Sequence, residues 1–184
     1  MSEWLPSSLP STRIGCSVSN ISRPIVLGLA CVTLCFSLGA VTTQEHVAFP
    51  DGYRSWVHIS SAVAASGPRG PGMHHIYANA KAVEGYRTGR FPDGAIIVFD
   101  RFRLQVNGAT TKIVDRQLVD VMVRDSARFR DTGGWGFDEF VGDSRVDHAF
   151  EPSKAAATCF TCHTQRRENG YVFTTFTDRD RAAP

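Results

Sequence analysis

The feature that most constrains the fold is a pair of β-rich runs joined by a tight-turn signal. Ala95–Leu104 reads AIIVFDRFRL, dense in the β-branched and aromatic residues that suit a pleated, half-buried strand. Asn107-Gly108 follows, a dipeptide that accepts the positive φ angles of a two-residue hairpin turn. A second strand is expected through Val114–Val123. Because side chains alternate along a strand, Leu118, Asp120 and Met122 fall on one face of it and Val119, Val121 and Val123 on the other. A chain built round such a hairpin makes an antiparallel sheet.

The flanking sequence extends that sheet and adds short helices. Phe49–Trp56 (FPDGYRSW) carries a Pro-Asp-Gly turn, and Trp56–Ile59 can open either a helix or a strand. Ala65–Gly72 (ASGPRGPG) is expected as a loop, His74–Ala78 as a short strand, and Lys81–Thr88 as a short helix stopped by Gly89. Phe91-Pro92-Asp93-Gly94 makes a turn into the first long strand. Past the hairpin, Ser126–Arg130 reads as a turn of helix, whereas Gly133–Phe137 is too glycine-rich for one. Pro152–Arg167 is expected as a helix, with Pro in its first turn, an alanine-rich interior and arginines near its end. Tyr171–Phe176 (YVFTTF) reads as a last strand, followed by a charged tail over Asp178–Pro184. The fold class expected is α+β: a single domain over residues 41–184, mainly antiparallel β-sheet with a few helices.

Residues 1–40 behave differently. Arg13 and Arg23 precede an uncharged apolar run over residues 25–41, after which polar residues begin. That pattern is an export signal with cleavage near Ala40, and the alternative is an uncleaved membrane anchor. The run sits at the short limit for a spanning helix, which needs about 20 apolar residues, so cleavage is preferred. Lipid attachment at Cys31 ranks third, since Gly28-Leu29-Ala30 is a poor recognition box. An exported chain of this kind is expected in the periplasm. Lys plus Arg number 20 against 18 for Asp plus Glu, interspersed, so there is no basic patch for nucleic acid.

Cys16, Cys31 and Cys35 belong to the N-terminal segment, which leaves Cys159 and Cys162 as the cysteines of the mature domain. Cys159-Phe160-Thr161-Cys162-His163 has the spacing of a c-type haem attachment site: two thiols add to the porphyrin vinyl groups, and the adjacent imidazole reaches the iron. A zinc site would need a second ligand pair, and His46, His58, His74, His75 and His148 offer no matching spacing. A redox Cys-x-x-Cys pair would need a βαβ context. One covalently attached haem c is therefore the expected cofactor, with His163 as axial ligand. A strong sixth ligand favours electron transfer and an open position favours small-molecule binding. Met73, Met122, His74 and His75 are the available candidates, each read first as packing, so an open distal position is the simplest reading.

Several segments in order, Phe49–Trp56, Thr88–Gly94, Val123–Phe129, Gly134–Phe137, the Cys-x-x-Cys-His and Tyr171–Thr174, resemble the cytochrome P-460 family, which includes the cytochromes c′-beta. The resemblance implies a mainly antiparallel β fold, a homodimer, and one five-coordinate c-type haem beside a large sheet. It also implies two branches of chemistry. Members that oxidise hydroxylamine carry a lysine crosslinked to the haem and a distal carboxylate that handles protons, whereas c′-beta members bind nitric oxide in an apolar pocket. Counted from Gly94, the lysine position holds Phe99, and Lys81, Lys112 and Lys154 lie elsewhere. The carboxylate position holds Asp120.

Phe99 reads either as a core aromatic or as a ring shielding the distal iron face. Asp120 reads either as a pocket proton acceptor or as a strand residue facing solvent or paired with Arg101 or Arg116. Trp56 and Trp135 are expected to pack. The function expected is binding of nitric oxide or a similar small nitrogen-oxide ligand, with an electron-transfer protein as a second candidate partner. The alternative is a haem-dependent oxidoreductase acting on hydroxylamine or a related compound, with Asp120 as base.

Overall fold

The computed structural model describes residues 45–176 of the 184-residue chain. The export-signal expectation over residues 1–40 and the charged tail lie outside them. Among the described residues five strands form one sheet in the order β1-β2-β3-β4-β5, every neighbour antiparallel: β1 Val57–Ala64, β2 Gly72–Ala78, β3 Ile96–Asn107, β4 Thr110–Arg124 and β5 Trp135–Val141. Two α-helices of the same span, α1 Ala80–Thr88 and α2 Pro152–His163, give the α+β fold. Among the described residues no helix is long and apolar enough to cross a membrane.

The hairpin is the centre of the sheet, as its residues demand. Asn107 pairs with Thr110 across the turn, and the register carries Phe99 opposite Asp120 and Ile97 opposite Met122. Alternation then sorts the two faces. One buries Ile76, Ala78, Ile97, Met122 and Phe137 against α1, Trp135 and Val172. The other buries Val98, Val119, Val121 and Phe140 beneath Val47, Tyr53 and Phe129. The N-terminal segment of the described residues, 45–56, thus covers one face of the sheet, and the helices cover the opposite one.

Local chemistry explains the helix boundaries. Asn79 caps α1, its Oδ1 accepting from the Ala82 N–H at 2.9 Å and from the Ile96 N–H at 3.0 Å, so one side chain joins the helix start to β3. Gly89 ends the helix in the left-handed conformation, φ 74°, which an L side chain adopts at a cost. Pro152 starts α2, and a 3₁₀ turn over Thr164–Asn169 continues it, so the helix expected through Arg167 tightens after His163.

Two expectations need correction. Tyr171–Phe176 forms no strand: Tyr171 lies in a turn and residues 172–176 have no ladder partners, because the apolar side chains pack against the helix-facing core rather than at a free sheet edge. Residues 126–130 hold a turn, and the helical turn is a 3₁₀ segment displaced to Arg130–Thr132. A further strand, β5, was hidden by Gly133, Gly134 and Gly136, whose entropy cost is met here by packing. A side chain at Gly136 would collide with the Phe129 ring.

The other face holds a completely buried carboxylate. Asp100 accepts hydrogen bonds from the Tyr53 hydroxyl at 2.7 Å, from Arg54 at 3.0 Å and from Arg116 Nε at 2.8 Å. These bonds tie the N-terminal segment to the sheet. Asp100→Ala would strand the Tyr53 hydroxyl and remove from the nearly buried Arg116 guanidinium one of its two carboxylate partners. It is expected to destabilise the fold by about 3 kcal/mol, read as a lowered midpoint in urea unfolding with an unchanged slope.

Candidate functional site

On the helix-facing side, sheet and C-terminal segment enclose a cavity of about 280 Å³. The sheet contributes Ile76, Ile97, Phe99, Asp120 and Met122, while His163 and the chain over Val172–Thr174 contribute the rest. Its lining is mostly apolar, which follows from alternation on β3 and β4: the same parity that places Ile97 and Met122 inward also places Phe99 and Asp120 inward. Four of the residues singled out in the sequence are accounted for by position. Phe99, Asp120 and His163 line one cavity, and Cys159 packs against the core cluster beside it. Cys162 is exposed, and the two cysteines are not joined.

His163 is held by an unusual piece of backbone. Gly170 at φ 63° and Tyr171 at φ 68° are consecutive left-handed residues, the second a bulky one for which that region costs energy. The turn they make directs the Tyr171 carbonyl at the imidazole, and His163 Nδ1–H donates to it at 2.6 Å. Trp135 secures the same turn, its indole N–H donating to the Gly170 carbonyl at 2.9 Å. Phe137 and Phe173 flank the imidazole, with ring centroids 5.1 and 5.0 Å away. With Nδ1 fixed as donor, the tautomer leaves the Nε2 lone pair free to bind an iron. Burial lowers the His163 pKa, which keeps the ring neutral and that lone pair available.

Cys159 and Cys162 lie three residues apart on α2, on neighbouring positions of one helix face, with His163 next in sequence. Burial, then the negative charges of Asp120 and Glu139, push the Cys159 thiol up to about 12. A dithiol redox pair needs the reverse, a thiol lowered toward neutrality. Two thiols and an imidazole with a free nitrogen are the donor types of a c-type haem attachment site, and here they lie beside an apolar cavity.

Asp120 is not paired with Arg101 or Arg116. Arg101 bonds Gln117 and the Gly70 carbonyl, and Arg116 bonds Asp100 and Asp143. The cation near Asp120 is Arg69 of the loop between β1 and β2, at 3.9 Å, and the same guanidinium holds Glu139 at 2.6 Å. Glu139 is the cross-strand partner of Asp120. A third of the Asp120 side chain stays open where it lines the cavity, yet its Oδ1 is shut off from solvent and accepts no hydrogen bond. Burial, reinforced by the Glu139 charge and opposed by Arg69, holds this carboxyl well above the usual carboxylate range.

Sequence reading had missed Arg69 and Glu139. Arg69 was the one charged residue in a Pro-Gly loop, a signal available but weak, and Glu139 sat on the strand that the glycines concealed. Of the candidate sixth ligands, Met122 lines the cavity, while His74 stacks on Phe99 with ring centroids 4.4 Å apart. Met73 and His75 sit on the opposite parity of β2, facing away from the cavity.

Comparison with known protein families matches the chain to cytochrome P460 over residues 50–174, well over half its length and spanning the cavity, the cysteines and His163. No curated protein matches it. The matched segment, the sheet-and-helix fold and a cavity fitted with a haem-type donor set agree, and the chain belongs to the cytochrome P460 family of haem cytochromes.

Proposed function

We propose that this chain is a periplasmic mono-haem cytochrome of the c type that binds nitric oxide, or a similarly small nitrogen oxide, in the cavity under Phe99. The observation that carries the reading is the ring of Phe99 on the sheet wall of an apolar cavity whose other wall holds a neutral imidazole with a free nitrogen. Cys159 and Cys162 would hold the haem as thioethers, and His163 Nε2 would ligate its iron. The haem would supply an iron able to take a diatomic ligand at a free position.

The residues around that position decide which ligands are favoured. Phe99 donates no hydrogen bond and occupies space that water would otherwise take, so neutral, apolar diatomics gain over polar ones. His74 backs the Phe99 ring and restrains it. The N-terminal apolar run supports export, where c-type attachment occurs, and the family resemblance supports a homodimer.

A second reading, oxidation of hydroxylamine or a related compound with transfer of electrons to a partner protein, is favoured by one observation. Asp120 stands in the cavity wall with a high proton affinity and an unpartnered oxygen. In that reading Asp120 takes a proton from the substrate and Glu139 and Arg69 tune it. Phe99 at the lysine position argues for the binding reading first.

Cys159→Ala with Cys162→Ala is expected to release the haem from the chain. Intact-mass measurement after acid denaturation would then find the bare polypeptide, and haem mass retained on the double variant would refute the attachment.

Ferrous wild type is expected to take up nitric oxide readily, and Phe99→Ala to speed ligand association by about tenfold on removing the ring. Asp120→Asn should leave nitric oxide binding within about twofold, because no proton moves in that step. Steady-state hydroxylamine oxidation by wild type that falls by about 100-fold in Asp120→Asn would replace the binding reading with the enzymatic one.

Protonation of Asp120 also affects stability. Its folded-state pKa is raised, so its favourable contribution is complete below the ordinary carboxylate range and is lost as pH climbs through the folded value. Asp120→Asn is therefore expected to flatten the decline in stability above about pH 4, read from unfolding midpoints across a pH series.

A further inference from the structure

We propose that His46, Asp138 and His148 form a second metal site, for a divalent transition ion of the zinc class, on the sheet face opposite the haem cavity. The three residues come from separate parts of the chain: His46 precedes β1, Asp138 lies on β5, and His148 follows β5 in the loop before α2. Their ligand atoms all fall within 4.8 Å of one another. His46 Nδ1 stands 2.9 Å from Asp138 Oδ2, and His148 Nδ1 stands 2.9 Å from Asp138 Oδ1. Zinc binds imidazole and carboxylate at about 2.0–2.2 Å, so adjacent donors on such an ion lie about 3 Å apart. Each histidine–carboxylate pair of the cluster has that spacing already.

Charge supplies the second argument. Asp138 is completely buried, and its carboxylate is oriented by the backbone N–H groups of Val47 and Glu139, each at 3.0 Å. Its side-chain partners are the two imidazoles, which stack with centroids 3.6 Å apart at 23°. A divalent cation held by the two imidazoles would set positive charge against this buried carboxylate. Two imidazoles and one carboxylate suit zinc, and also iron(II), cobalt(II) or nickel(II).

Access is the third. An open cavity of about 530 Å³ borders both histidines and is edged by Asp147 and Glu151, with Lys154 also on its rim. Water can reach the ion there to complete its coordination. The site would clamp the N-terminal segment and the loop leading into α2 onto β5, and so brace the helix that carries Cys159, Cys162 and His163.

The test uses the haem-loaded full chain, treated with chelator, desalted and titrated with zinc chloride in a calorimeter. One zinc per chain is expected, with a rise in Tm of about 5–10 °C once free zinc exceeds Kd about 100-fold. The haem absorption spectrum should not change on adding zinc. His46→Asn with His148→Asn keeps amide donors for Asp138 and removes both imidazole ligands, and zinc binding should vanish. His148→Ala alone, expected to weaken binding more than about tenfold, serves if the pair does not fold. The proposal is overturned by the absence of saturable zinc uptake in wild type, by uptake unchanged in the variants, or by a haem spectrum that shifts with zinc, which would place the ion in the cavity.

Discussion

The hydrogen bond from His163 Nδ1–H to the Tyr171 carbonyl sets the tautomer of the imidazole and its orientation, and much of the surrounding structure serves to keep it in place. A carbonyl can point back at the end of α2 only if the chain reverses sharply after the 3₁₀ turn. Gly170 and Tyr171 accomplish this in the left-handed region, at a cost for tyrosine that the fold must offset. The indole of Trp135 on Gly170 and the packing of the Tyr171 ring against Phe160, centroids 5.4 Å apart, offset it. The edge strand β5 therefore reaches the iron-binding candidate through Trp135 and Phe137, although neither contributes a donor atom to it.

The sheet separates two kinds of chemistry by parity. Strand residues that face the helices build an apolar cavity with one coupled group at its edge, Asp120 with Glu139 and Arg69. Residues of the other parity face the N-terminal segment and hold two buried carboxylates, Asp100 and Asp138, each at the meeting point of distant segments. A shift of one residue in β4 would exchange these sets and put Val119 and Val121 where Asp120 and Met122 stand. The tight turn at Asn107-Gly108 is thus a determinant of the site as much as of the fold.

The sequence was most informative where one local rule dominated. The β3–β4 hairpin, α1 with its Gly89 stop, and the parity of Phe99 and Asp120 all follow from periodicity and turn chemistry within a single segment. It was least informative where tertiary packing overrode propensity. Glycines disguised β5, and the aromatic run after Tyr171, strand-like by composition, was drawn to the core without a partner strand. The partners of Asp120 were misjudged because Arg69 arrives from a loop that carries no periodic signal. The meeting of His46 with His148 could not be read from spacing at all, since it depends on the N-terminal segment crossing the sheet.

In the function proposed, His163 would ligate the haem iron, and no protein atom would fill the position that a small ligand takes in the cavity under Phe99. The absorption spectrum of the purified ferrous protein tests it most directly. A broad high-spin spectrum of an unmodified haem is the result expected. Sharp low-spin bands would mean that a protein atom, such as Met122 Sδ in the cavity wall, fills that position, and would contradict this reading.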